Sequence, residues 1–339
     1  MNVVAVVPGG ITETLQASPL LRTVRAGEPN AQIALLCPAR AASIAQGIPA
    51  VDMVAGRRAL SGYPGAAAGL GVWLELRRRR VDAVLICSRS PWLRLAAFLA
   101  GVPERIGPRG GFSSFLLTRR GHAERGENRA PQWLRLAALM GIRQELHTPS
   151  YEPGAEALRE ADQVIHSTGF ADGRLLVALA PGAGYAEHDG LRGPEAIWDQ
   201  ERFAILANQL ATRHGAGVLF LGAPEDKQVV EQTMLDLGTS AADLSGEPDL
   251  RVVAAIVARC DLFIGGDTPL LHIAAAVGTP AVGLFGPSDG RLRGPYGSDH
   301  RIIQGLRRRP NGKAPDPEPL AVMDQIRVDD VLASIEASL

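Results

Sequence analysis

Residues 261–288 read DLFIGGDTPLLHIAAAVGTPAVGLFGPS, and few folds accommodate that order. Residues 261–264 form a short apolar run closed by Gly265 and Gly266, the pattern of a parallel strand covered on both faces. Thr268 is placed to act as an N-cap, with Pro269 at the first helical position, where a missing N–H and a fixed φ suit a helix start. The spacing predicts a helix over 270–277, stopped by Gly278 and Pro280 and followed by a second apolar run. The helix then begins at the carboxyl end of its strand. Unpaired N–H groups and the helix dipole favour an anion there, and ligands of open α/β sheets bind along that edge.

The same alternation recurs along the chain. Residues 3–7, 32–37 and 81–87 read as strands, and 18–25, 73–79 and 92–100 as helices. Residues 105–118 break the rhythm with glycines and then turn apolar, as a loop and short strand would, and 132–140 resume a helix that Gly141 ends. After a helical stretch and a polar passage over 152–173 a second series begins. It runs through a strand at 175–179, the turn Pro181-Gly182-Ala183-Gly184, a helix at 200–214, a strand at 217–221 and helices at 226–237 and 250–259. At 339 residues the chain is long for one core and suits two domains. The expected class is α/β, with two Rossmann-like doubly wound parallel-sheet domains at 1–165 and 166–325 and a C-terminal helix at 326–339. The run 306–319, rich in Arg, Pro and Gly, is expected to be an exposed loop.

Composition narrows the partners. A formal net charge of −1 offers no global basic field for nucleic acid. Lys and Arg together number 35, yet only Lys227 and Lys313 are lysines, so any phosphate clamp is expected to be arginine. Cys37, Cys87 and Cys260 lie far apart in or beside apolar runs, without ligand spacing. They read as buried free thiols in a reducing compartment, and no metal is expected. MNVVAVVPGG has no basic n-region and reads as a first strand, and no run approaches the roughly 18 apolar residues of a spanning helix. The expected location is cytoplasmic.

Residues 261–288 resemble the signature of glycosyltransferase family 9, the heptosyltransferase family: a strand, Asp-Ser/Thr-Gly-x-x-His-x-Ala-Ala, Gly-x-Pro and Leu-Phe-Gly-Pro. Asp267, Thr268, His272, Ala274, Ala275, Gly278, Pro280 and 284–287 match, and Pro269 departs where the family has glycine. The resemblance is strongest over 250–288, fair over 9–25 and 176–222, and thin over 40–130. It implies the GT-B architecture, two domains facing across a cleft, the first for the acceptor and the second for the donor. It implies an inverting, metal-independent transferase without cofactor. The sugar, by resemblance a heptose, would pass from a nucleotide-diphosphate donor of ADP-heptose type to a saccharide or glycolipid acceptor of lipopolysaccharide type. Peripheral contact with the inner face of a membrane follows from such an acceptor.

Residue roles follow the same comparison. The family's catalytic carboxylate lies six residues before a proline opening Pro-x-Leu-Arg, which puts it at Glu13, a Glu for the usual Asp. A Glu is ionised at neutral pH and can take the acceptor's proton, since its reference pKa is about 4.3; Glu13 can equally be an acid suited to a first helical turn. Gly182, Ala183 and Gly184 offer bare backbone for a phosphate approach. The family's Pro-Gly-small, Lys-x-Trp, Phe-x-x-Leu-x-x-x-Leu pattern continues through Trp198, Phe203, Leu206 and Leu210, but Ala196 stands at the lysine. Arg192, the sole basic side chain other than histidine in the insert YAEHDGLRGPE, is the candidate replacement or else a solvated loop arginine. Glu225 is expected at the donor ribose, with a solvated helix-start acid as the competing view. Asp267, Thr268, the N–H groups of Leu270 and Leu271, and His272, whose side chain leans toward the helix N-terminus, are expected at the pyrophosphate. Arg105, Arg109 and Arg120, with Arg119 and His122 nearby, are candidates for an anionic acceptor and also read as solvated surface. Two alternatives stay open: a degenerate member that binds without turnover, because Glu13, Pro269 and Ala196 depart together, and a nucleotide-sugar epimerase of similar two-domain build.

Overall fold

The computed structural model describes all residues except 123–125, 144–146, 171–172, 184–196, 248, 298–299, 306–322 and 337–339. The chain divides into two compact units, Met1–Glu152 and Pro153–Leu339.

In the first unit six parallel strands lie in the order β3-β2-β1-β4-β5-β6. They are β1 (Asn2–Val6), β2 (Gln32–Cys37), β3 (Met53–Gly56), β4 (Ala83–Ile86), β5 (Glu104–Pro108) and β6 (Arg119–Gly121). The chain enters at β1, works outward to β3, then crosses back to β4 on the other side. The switch point therefore lies between β1 and β4, whose registers pair Val3 with Ala83 and Val6 with Ile86. The helices are α1 (Ile11–Gln16), α2 (Ser18–Gly27), α3 (Ala42–Gln46), α4 (Ala66–Arg78), α5 (Pro91–Leu99) and α6 (Arg129–Ala138). Ala68, Val72 and Leu76 of α4 and Leu93, Ala96 and Ala97 of α5 enter one buried cluster with Val4, Val6, Val84 and Ile86 of the sheet. The central strands read as unbroken apolar runs because helices cover both faces.

The second unit repeats the plan. Its order is β12-β11-β10-β7-β8-β9, all parallel, with β7 (Leu176–Ala180), β8 (Gly217–Phe220), β9 (Ala241–Asp243), β10 (Leu262–Gly266), β11 (Ala281–Phe285) and β12 (His300–Gln304). Here β7 enters first and β10 lies across the switch point from β8. Its helices are α7 (Ala155–Ser167), α8 (Gln200–His214), α9 (Lys227–Leu235), α10 (Leu250–Ala258), α11 (Pro269–Val277), α12 (Gly290–Arg293) and α13 (Val328–Glu336). α7 belongs to this unit, where Asp162 pairs with Arg259, although all but its last two residues fall within the 1–165 expected for the first domain. Trp198 is buried edge-on against Phe203, and its indole N–H donates to the Ile326 carbonyl at 2.9 Å, which fastens α13 over the second core.

Strands with apolar cores were legible, while β3, β6, β9 and β12 were not. All four lie at the end of a sheet and carry half-buried or exposed residues, β9 being only the three residues Ala-Ala-Asp. Edge strands keep a solvated side and so lose the apolar run. Over 105–118 the expected order of loop then short strand is reversed: β5 occupies the first residues, the apolar part forms a 3-10 turn at Phe112–Leu116, and β6 follows beyond it. The three cysteines are buried, and burial pushes the thiols of Cys37 and Cys260 up to about 12.

Candidate functional site

In the second unit the carboxyl ends of β7, β10 and β11 gather the donor candidates. α11 starts as predicted: Thr268 is extended (φ −129°, ψ 160°), Pro269 opens the helix and Gly278 closes it. One detail departs from the capping expectation, because the Thr268 side chain makes no cap hydrogen bond. Its Oγ1 is buried without a partner, and so is Nε2 of His272 one turn on. Both residues are nearly sealed, at 4% and 2% exposure. Buried polar atoms are nearly always hydrogen-bonded, so these two orphans at one helix start call for a partner that the fold itself does not supply. Leu271 offers less than expected, since its N–H already donates to the Thr268 carbonyl at 3.2 Å. Leu270 follows Pro269 as the second residue of the helix, whose N–H has no acceptor in the helical ladder.

Electrostatics around this start are arranged by a residue the motifs did not single out. Arg293, at the end of α12, donates Nε to Asp267 Oδ2 at 2.5 Å. Burial pushes the His272 pKa down to about 4, against the pull of Asp267 and of a hydrogen bond with the Arg293 main chain. His272 is therefore neutral at neutral pH. The scarcity of lysine predicted an arginine here, but nothing local marked Arg293, because it meets Asp267 through a contact 26 residues apart.

The turn after β7 is fixed from below by Asp226. Its carboxylate accepts the Ala183 N–H at 3.1 Å and the Ala223 N–H at 2.9 Å, tying the ends of β7 and β8 together. A Cβ on Gly182 would fall inside that carboxylate, so glycine is demanded by close approach and the turn is held before any ligand arrives. Gly182→Ala should cost about 1–3 kcal/mol by overpacking; calorimetric unfolding of the variant checks it, and an unchanged melting temperature would show that the turn yields freely. Glu225 is exposed on the same 3-10 turn. Of GAPED it is the acid after it, Asp226, that is buried and bonded, and the capping rule that an acid at N3 reaches back to the N-cap N–H points to that residue. Gly184, Arg192 and Ala196 lie outside the described residues.

In the first unit Glu13 sits in the first turn of α1, beyond the carboxyl end of β1. The helix starts at Gly10 rather than Thr12. Glu13 Oε2 accepts the Gly10 N–H at 2.8 Å, and Oε1 is ion-paired with Arg129 of α6. The Glu13 side chain is 12% exposed. Gly9 has φ +117°, and a Cβ there would come within 2.7 Å of the Glu13 carboxyl. Gly9 thus makes room for a carboxylate folded back over the helix start and anchored there by the Gly10 N–H and Arg129.

The arginine cluster divides. Arg105 is a structural residue, its guanidinium donating to the Leu116 carbonyl at 2.7 Å and the Val102 carbonyl at 2.5 Å and stacking over Phe98. Arg119 is spent on Glu104 and the Leu139 carbonyl. Arg109 and Arg120 are exposed, as is His122, with Arg109 and His122 just past the ends of β5 and β6, on the same sheet edge as Glu13.

The family model of glycosyltransferase family 9 (heptosyltransferase) matches residues 70–321. The chain belongs to glycosyltransferase family 9. This transferase is 27% identical to lipopolysaccharide heptosyltransferase 2 of Escherichia coli K12 over 318 residues, 90% of the chain and 88% of the relative. It is 26% identical to the enzyme of the same name from Salmonella typhimurium, again over 90% and 88%. In three dimensions it resembles E. coli ADP-heptose lps heptosyltransferase II, with a TM-score of 0.78 at 22% identity, covering 99% of this chain and 98% of the other. It also resembles E. coli heptosyltransferase WaaC with ADP-2-deoxy-2-fluoro heptose, with a TM-score of 0.73 at 18% identity over the whole of both chains. The fold of this glycosyltransferase is accordingly GT-B, and family membership decides for a transferase over an epimerase.

Proposed function

We propose that this family 9 glycosyltransferase moves a heptose from an ADP-heptose-type donor to a saccharide of lipopolysaccharide-core type, inverting the anomeric centre. The observation that carries the donor side is the pair of buried, unpartnered atoms, Thr268 Oγ1 and His272 Nε2, at the start of a nine-residue helix. A diphosphate brings the acceptor oxygens that a hydroxyl, a Leu270 N–H and a helix dipole can receive. The turn of Gly182 and Ala183, held by Asp226, would carry the same group from the β7 side, with Gly184 and Arg192 continuing it. Asp267 would work through Arg293, holding that guanidinium beside the diphosphate. Glu225, exposed on its turn, would take the ribose hydroxyls.

On the acceptor side Glu13 would remove the proton of the attacking hydroxyl. The oxygen then bonds to the anomeric carbon as the bond from that carbon to the phosphate oxygen breaks, and the nucleotide diphosphate leaves with the charge. Stabilisation of that charge by the start of α11 and by Arg293 is what the reaction needs most. Arg109 and Arg120 would meet anionic groups of the acceptor, and Arg105 would shape their strands. An acceptor built on a lipid brings the enzyme to a membrane surface.

The test of the donor assignment is thermal. ADP at a hundredfold excess over its Kd should stabilise the folded chain by about 2.7 kcal/mol, and UDP, GDP and CDP at equal concentration should do less. Equal shifts with all four nucleotides would reject adenine selectivity, and no shift with any would reject the donor site.

A further inference from the structure

α12 is a single turn, Gly290–Arg293. A lone turn cannot hold itself, because fixing its backbone costs more than its first hydrogen bond returns. Something outside the turn must therefore set its place. That place matters, since its last residue is Arg293, which donates Nε to Asp267 Oδ2 at 2.5 Å and whose main chain hydrogen-bonds His272. Two of the donor candidates thus depend on a helix with no stability of its own.

Two anchors supply what the turn lacks, and both come from β12. Along its length α12 lies against Ile302 with no room between them: a Cβ on Gly290 would run into the Ile302 side chain, and one on Gly294 into the Gly290 carbonyl. At its start the anchor is Gln304, the last residue of β12, which stands opposite Phe285 in the parallel register. Gln304 Nε2 donates to the carbonyls of Phe285 at 3.1 Å and Gly286 at 2.9 Å, and its Oε1 accepts the Gly290 N–H at 2.9 Å. Both amide protons and one oxygen lone pair are in use, so one side chain ties the exit of β11 to the first residue of α12. The Gly290 N–H has no acceptor within its own turn. Asp289, the cap residue, takes the next one, Arg291 N–H, at 3.0 Å.

We propose that Gln304 is a positioning residue for the donor diphosphate: by fixing the start of α12 it sets where the Arg293 guanidinium stands beside Asp267, and so how firmly the terminal phosphate of the nucleotide is held. Gln304 acts through Arg293 and not on the ligand itself. The inference rests on the donor site proposed above and deepens it. A guanidinium is a planar fork whose bonds to phosphate oxygens depend on its orientation. With α12 released from Gln304, Arg293 keeps its charge and loses that orientation.

Titration calorimetry of the full chain with ADP and with AMP decides it. AMP lacks the second phosphate, so the ratio of the two affinities reads the grip on that group and is indifferent to a general loss of stability. Arg293→Gln should lower the preference for ADP about tenfold, as removal of a charge-assisted hydrogen bond does. Gln304→Met, which keeps the length of the side chain and removes all three of its bonds, should lower it about fivefold. The double variant should lose no more than Arg293→Gln alone, because a residue that acts only through another adds nothing once the other is gone. Gly294→Ala displaces α12 from its other end and should reproduce the loss, which keeps the test open if Gln304→Met does not fold. An unchanged ratio in folded Gln304→Met or Gly294→Ala, or additive losses in the double variant, would overturn the proposal and leave the donor site standing. A wild type that bound ADP no better than AMP would remove the diphosphate site and the role of Gln304 with it.

Discussion

Glu13→Gln should lower kcat about 100-fold or more, the low end of what a positioned general base contributes, with the affinity for ADP unchanged. The substitution is chosen because it separates two roles that one carboxylate fills. As a cap, Glu13 accepts the Gly10 N–H at 2.8 Å, and the carbonyl oxygen of a glutamine can accept it too. As a base it needs a charged oxygen, and glutamine has none. Loss of turnover with an unchanged melting temperature would assign chemistry. Full turnover would leave Glu13 a helix-start acid and favour a protein that binds without transferring. The ion pair with Arg129 supplies a second reading. Arg129→Gln keeps the base and removes its anchor, so a fall in kcat without a change in ADP affinity would make Arg129 a positioning residue. The anchored carboxylate is the reason Gly9 has no side chain, because a Cβ there reaches the Glu13 carboxyl at 2.7 Å, and Gly9→Ala should reproduce much of the same loss.

The parts of this site legible in the chain are those written by short-range rules. Thr268, Pro269 and Gly278 bracket α11 to the residue, because capping, proline geometry and a stop glycine act within one turn. Glu13 and the Pro181 turn were singled out by their match to the family pattern rather than by such rules. What could not be read are the contacts that folding creates between distant segments. Arg293 reaches Asp267 across 26 residues, Arg129 reaches Glu13 across 116, and Asp226 holds the Ala183 N–H across 43. In each case the residue type was visible and its partner was not. Arg105 shows the opposite error: an arginine in a glycine-rich segment reads as solvated or ligand-binding, while its guanidinium is consumed by two main-chain carbonyls of its own unit. Thr268 was read as a side-chain cap, and the finding that its hydroxyl has no partner is more informative than the cap would have been. An N-cap hydroxyl that declines its usual bond is available to a phosphate.

His272 should couple folding and donor binding to pH. The imidazole is 2% exposed, and burial lowers its pKa from 6.5 to about 4. An unfolded chain therefore binds the proton more readily than the folded one. Stability from this group is complete above pH 6.5 and is lost as pH falls toward 4, with a span of about 3 kcal/mol. His272→Gln removes the titration, so its unfolding free energy should vary less between pH 7 and pH 4.5 than that of the wild type; parallel pH profiles would show that the imidazole does not set the dependence. Binding acts in the opposite sense. A diphosphate near Nε2 favours the imidazolium, so ADP should bind with proton uptake and more tightly at pH 5.5 than at pH 7.5. Calorimetry in two buffers of different ionisation enthalpy reads that uptake directly. A hydrogen bond to a charged group is worth about 1.5–3 kcal/mol, so His272→Gln should weaken ADP binding by about tenfold or more at the lower pH and abolish the uptake. Uptake that persists in the variant would move the protonating group elsewhere, and an unchanged Kd at both pH values would return His272 to the packing of α11. The neutral, buried state of this side chain, with Nε2 unpartnered, is what makes the coupling large: its proton is withheld until a second negative charge enters beside it.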